Sequence, residues 1–492
     1  MSTTTTGRPV GAKGLSKDDL SLWGSTAIGL SSTAPVYSLT ATLGLMTVAV
    51  GTHTPAAFLV AFIPILFTAF AYKELNSSDP DCGTTFTWAS KAFGKFAGWM
   101  GGWGMAVAGV VVLANLAQIA GKYLWLLIDK NLAENLFLTT CTGVAFIAAM
   151  TWVNYRGIDV GEKMQQVFVW IQYGALAAFV LFAVGTLATG GATAAEPFSW
   201  DWFNPFSVTD FAAFTQAVLL ALFVYWGWDT CLALNEETKN PTKTPGRAAV
   251  LSSVLLLATY VGVTVIAMMV AGTGTDGTGL ANEETSGDVL YSLAGAVMGD
   301  WSWLIIIAVL VSAVSSTQTT ILPTARGTLS MAVQGALPDR FANVHAKYLT
   351  PTFSTILMGV VSAAYFVGMT MISANLLTDS IAALGLYIAF YYGLTGYACV
   401  WTFRSTLTAS ARSLWMRGIL PLAGAVMMTI AFAVSAVDML RPDYGETAFG
   451  GIGGTFLIGI GSLAVGAVLM TAWYATAGRR AGTGLTRSST DN

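Results

Sequence analysis

The chain has 492 residues, of which 54% are hydrophobic and only 10% charged, with a mean hydropathy of +0.64 and a formal net charge of −3. So small a polar complement does not clothe soluble domains of this size, and it leaves no basic surface for nucleic acid. Cys82, Cys141, Cys231 and Cys399 stand apart with no CxxC pair, and His53 and His345 lie in no metal-ligand or nucleophile–base pattern, which argues against metal, redox and hydrolytic chemistry.

Taken in chain order, residues 1–17 are polar and lack an apolar segment followed by a small-residue cleavage site, so they are expected to form a cytoplasmic tail, disordered to about Ser16. Apolar windows then predict spans near 22–48, 55–75, 94–127, 135–155, 163–188, 210–238, 246–272, 302–333, 352–373, 376–403, 416–438 and 451–476. Residues 18–478 thus form a single transmembrane domain of an all-α protein with twelve spans, and 479–492 a second cytoplasmic tail. Gly94, Gly98 and Gly102 are predicted to share one face of the third span and admit a close neighbour. The run Gly450, Gly451, Gly453 and Gly454 has no strand before it and a span after it, so it is not read as a phosphate loop.

With the amino terminus placed inside, Lys122, Lys130 and Arg441 are the only members of the 23 Lys and Arg that fall outside. That asymmetry predicts a multi-pass cell-membrane protein with both termini cytoplasmic. Acidic residues such as Glu196, Asp276, Glu283 and Glu284 populate the long outer loops.

Two spans carry an interruption. The first contains Gly29 through Pro35, where Pro35 lacks an amide hydrogen and drives Ala34 out of the helical region. The sixth contains Tyr225-Trp226-Gly227-Trp228-Asp229-Thr230, with a glycine and an acid deep in an apolar helix. Breaks at matching positions of two five-span halves are the sequence pointer to a central site of a transporter.

At these residues the chain resembles the amino acid-polyamine-organocation superfamily. The likeness runs through Glu74-Leu75, Pro80, Cys82-Gly83-Thr84, Phe93-Gly94 and Gly102-Trp103, then Asn154 to Ile158. It continues in Glu236-Glu237-Thr238-Lys239-Asn240-Pro241 with Pro245, and in Gly335 to Pro338 with Phe341, Val344-His345, Lys347 and Thr350-Pro351. The resemblance implies a LeuT-type fold: inverted repeats at about 21–188 and 209–404, with extra helices at about 416–476. It also implies a permease that moves an amino acid or related small amine by alternating access; the alternative is a polyamine or amine antiporter or exchanger of the same fold. A membrane-embedded enzyme or a channel is the lesser reading, and the expected state is a monomer or homodimer.

By that resemblance the substrate meets Ser32, Thr33, Ala34, Phe223, Val224 and Trp226, with Trp228 as a lid and Asp229 and Thr320 beside it. Pro35 departs from the glycine often found there and offers no amide to a carboxylate, which leaves room for substrates without one. Asp229 has two readings: contact with the substrate, or a cap on the amides of the second half of span six. No cofactor is expected beyond a coupling ion. Gln172 stands where proton-coupled relatives carry a lysine, and Gly29, Ser32, Ser312, Ser315 and Ser316 match the ligands of a sodium ion. Sodium coupling, proton coupling and ion-independent exchange all stay open.

Overall fold

The computed structural model describes residues 11–192 and 196–482; the tail expectations for 1–10 and 483–492 lie outside them. Among the described residues the regular structure is helical but for one small hairpin. Its helices are α1 (Leu22–Ser32), α2 (Pro35–Val50), α3 (Thr54–Ser78), α4 (Thr85–Phe93), α5 (Lys95–Leu126), α6 (Leu136–Arg156) and α7 (Ile158–Ala188). There follow α8 (Phe211–Val224), α9 (Thr230–Ala233), α10 (Thr244–Ala271), α11 (Val289–Met298), α12 (Trp303–Val333), α13 (Thr352–Ile372), α14 (Ala374–Ala382), α15 (Leu384–Phe403), α16 (Leu420–Met439) and α17 (Gly454–Gly482). Among the described residues, 10 helical segments are long and apolar enough to cross a membrane, and the first of these, Leu22–Ser78, holds α1, α2 and α3.

Local chemistry sets the helix starts. Ser21 accepts from Gly24 N ahead of α1, Asn135 from Leu138 N ahead of α6, and Asp210 from Ala212 N and Ala213 N ahead of α8. Burial sorts the helices into layers. α12 is buried on nearly every side and packs on α5, α6, α7 and α13, whereas Trp170, Leu181, Val437 and Val468 on outer helices are more than 60% exposed. Such apolar outward faces suit lipid.

Two expectations are corrected. Residues 11–16 are packed rather than disordered: Leu15 and Ser16 are buried, because Leu15 joins an apolar cluster with Cys82 and Leu329. Gly94 is not on the shared face of α5 but in the turn before it, at φ +94°; only Gly98 and Gly102 press on neighbours, at Ser90, Phe86 and Met331. The all-α reading holds, beside one minimal hairpin of β1 (Ala448–Phe449) with β2 (Ile452–Gly453), whose turn uses Gly450 and Gly451 at φ +60° and +83°. α4 and α11 are also unanticipated, being too short to register as spans.

A tight backbone crossing joins α5 to α6, where a Cβ on Gly121 would lie 2.2 Å from the Thr139 carbonyl oxygen. Backbone cannot yield as a flexible side chain does, so Gly121→Ala is expected to cost about 1–3 kcal/mol, read as a lower melting temperature in detergent. An unchanged melting temperature would show that the crossing relaxes freely.

Candidate functional site

Both interruptions are present. Thr33 follows the last residue of α1, Ala34 takes a left-handed conformation at φ 48°, and Pro35 opens α2. The second break runs from the end of α8 at Val224 to the start of α9 at Thr230, with Gly227 at φ +120°. The breaks meet. A Cβ on Gly227 would lie 2.8 Å from both the carbonyl carbon and oxygen of Ser32, and the Ser32 and Thr230 hydroxyls bond at 2.8 Å. Only a residue without a side chain permits that approach at that φ.

Between the breaks lies a cavity of about 20 Å³ lined by Ser32, Trp226, Gly227, Asp229, Thr320 and Tyr391, among others. It has room for little more than one water. A second cavity of about 480 Å³ opens at the end of the bundle marked by Arg441 and Tyr444, with Tyr37, Phe223, Ile388 and Asp438 in its wall.

Asp229 precedes α9 but makes no side-chain cap, which corrects the capping reading. Its two oxygens instead accept from Tyr391 at 3.2 Å and Tyr392 at 3.0 Å, and Tyr391 also accepts from the Trp226 indole. The hydroxyls reach the carboxylate because α15 passes directly beside the break. Trp228 is wholly buried between Tyr72 and Tyr392, with ring centroids 5.3 Å from each, and is not in the cavity wall. Of the remaining expected contacts, Phe223 faces the larger cavity, the Val224 carbonyl accepts from Tyr260, and Thr33 bonds to Leu30 and Ser38. Ala34 supplies the left-handed turn. The residues missed from sequence are Tyr391 and Tyr392, whose tandem hydroxyls in an apolar span were the available signal.

Of the expected ion ligands, Ser32 and Ser316 meet across helices, while the others are placed as follows. Ser316 Oγ donates to the Ser32 carbonyl at 2.8 Å, Ser315 Oγ to the Ser312 carbonyl at 2.9 Å, and Gln172 Nε2 to Ser315 Oγ at 3.2 Å. Ser312 Oγ accepts from Tyr37 N at 3.3 Å. Gly29 packs against Ser252 and the Trp228 carbonyl.

Away from Arg441, the segment before α1 is tied to the stretch after α9. Asp19 N and Leu20 N donate to the Glu237 carbonyl, and Lys239 N donates to the Leu20 carbonyl. Lys13 pairs with Asp81 at 2.8 Å and Glu236 at 2.7 Å. Burial alone would lift the Asp81 carboxyl, but the Lys13 charge and hydrogen bonds from Lys13, Ser330 and Gly83 outweigh it and hold it below its ordinary range. Arg326 and Glu237 form a buried pair in which Nη2 reaches Oε1 at 2.9 Å.

Comparison with known proteins places this arrangement. The amino acid permease family model matches residues 20–449, the stretch that contains both breaks. An uncharacterised transporter of Mycobacterium tuberculosis is 28% identical over 348 residues, covering 70% of this chain and 72% of its own. The methylthioribose transporter of Bacillus subtilis is 23% identical, covering 72% and 74%, and the branched-chain amino acid permease of the same organism 24% identical, covering 70% and 72%. With its many apolar helices this is a multi-pass membrane protein, and it belongs to the amino acid permease family of the amino acid-polyamine-organocation superfamily.

Proposed function

We propose that the chain is a secondary transporter that moves an amino acid or related small amine by alternating access, with substrate held where the two breaks meet. The contact of Gly227 with Ser32 carries this reading, because it turns two interrupted helices into one polar locus inside an apolar bundle. The small cavity there, the open one toward Arg441 and the closure at Lys13 correspond to an occluded site with an outer vestibule. The likeness to a branched-chain amino acid permease supports the substrate class.

The proposal includes twelve spans. Leu22–Ser78 supplies two, and the interrupted Phe211–Val224 helix, too short to cross alone, supplies another with α9. Repeats at about 21–188 and 209–404 would then each open on a broken helix, and the bias of Lys and Arg would put the Lys13 closure in the cytoplasm. Opening is a rearrangement at both ends: the clamp on Glu237 releases as the vestibule narrows. The chain acts as a carrier and not as an enzyme.

The test is uptake into proteoliposomes against labelled amino acids and amines, under a sodium gradient, a proton gradient or neither. Saturable uptake supports the reading, and no uptake of any member refutes it. If Ser32, Ser312, Ser315, Ser316 and Gly29 hold a coupling sodium, the Ser316–Ser32 hydrogen bond must give way to it. Ser315→Ala with Ser316→Ala is then expected to make uptake equal with and without sodium. A sodium dependence that survives both changes would dispose of the site.

A further inference from the structure

The cavity between the breaks is one-sided in charge. Its wall includes Asp229 and the hydroxyl-bearing residues Ser32, Thr230, Thr320, Thr324 and Tyr391, and it contains no Lys, Arg or His. Asp229 is 8% exposed, and among the described residues its side-chain partners are two tyrosine hydroxyls and no base. Two hydroxyls use about half of the roughly four lone-pair sites of a carboxylate. A buried carboxylate without a counter-charge is costly, and a cation entering beside it relieves that cost.

A carboxylate guest would need donors, and several of those at the breaks are already engaged. Thr33 N and Ala34 N both donate to the Ser31 carbonyl, Pro35 has no hydrogen, and Tyr37 N donates to Ser312 Oγ. At the second break Thr230 N donates to the Gly227 carbonyl. The route in has the same bias: the vestibule wall carries Asp438 and Asp443, while its Arg441 is paired to Asp443 at 2.8 Å.

We infer that the central site selects a small cationic amine that lacks a carboxylate, with Asp229 as counter-charge to its ammonium. This rests on the permease reading and narrows its substrate class. Tyr391 and Tyr392 are positioning residues that aim the carboxylate, and Trp226 is held to Tyr391 as part of the same set.

Matched pairs that differ only by the carboxylate test this on the wild-type chain: ethanolamine with serine, putrescine with ornithine, isoamylamine with leucine. Labelled uptake into proteoliposomes is expected to favour the decarboxylated member of at least one pair by 10-fold or more in kcat/KM. Transport of serine, ornithine or leucine in preference to its amine overturns the inference and leaves the permease reading standing. No transport of either member of any pair overturns both. Asp229→Asn, checked for an unchanged melting temperature, is expected to lower uptake of the preferred amine at least 100-fold. A folded variant that transports it at the wild-type rate refutes the role of Asp229. The wild-type pairs decide the matter where the variant does not fold.

Discussion

Gly227→Val abolishes transport, with uptake into proteoliposomes expected to fall at least about 100-fold while the bundle still assembles. Two independent penalties meet at this residue. A φ of +120° lies outside the regions open to a β-branched L-residue, and the added Cβ would sit 2.8 Å from the Ser32 carbonyl group. Ser32 cannot retreat cheaply, since its carbonyl accepts from Ser316 and its hydroxyl is bonded to Thr230. The breaks must therefore separate, and the cavity that they enclose is lost. Because the strain is confined to this contact, size-exclusion behaviour in detergent is expected to stay monodisperse. Gly174→Ala is the control: a Cβ there meets nothing within 4 Å, and its uptake should match wild type. A Gly227→Val protein that transports normally would mean that contact between the breaks is unnecessary.

Glu237→Gln is expected to be the most destabilising single change, at about 3–5 kcal/mol, because it leaves a buried guanidinium without its counter-charge. Both Arg326 and Glu237 side chains are 1% exposed. The pair joins α12 to the segment just after α9, and the Glu237 backbone carbonyl also receives Asp19 N and Leu20 N. Loss of the charge therefore loosens the closure at the Lys13 end as well as the core. Thermal melting in detergent should show a large fall for Glu237→Gln and for Arg326→Met, and a substantial recovery in the Glu237→Met, Arg326→Met double variant, which removes both charges. If the double variant is as unstable as the sum of the singles, charge is not what the two residues exchange.

The places where sequence reasoning succeeded share a physical feature. Pro35 and Gly227 act through backbone rules that hold in any surroundings: one removes a hydrogen-bond donor, the other permits a positive φ. The breaks were therefore legible, as were the long apolar helices. Asp229 shows where such reasoning stops. Its position before α9 matches a cap, yet the competing hydroxyls of Tyr391 and Tyr392 come from more than 160 residues away and take the carboxylate. Trp228 likewise lies beside the break in sequence but turns into an aromatic cluster with Tyr72 and Tyr392. The packed segment at Leu15 looks like a tail in sequence because its few apolar residues find partners only in distant helices.

Composition and hydrogen-bond rules by themselves determined that this chain is a bundle of membrane helices, two of them interrupted, since lipid offers no partner to a free peptide group and the interruptions must face protein. Tertiary structure alone decided which side chains surround the interruptions. That outcome depends on the rotation of α12 and α15 about their axes, and in helices buried on most sides no apolar-polar pattern records which face meets the breaks.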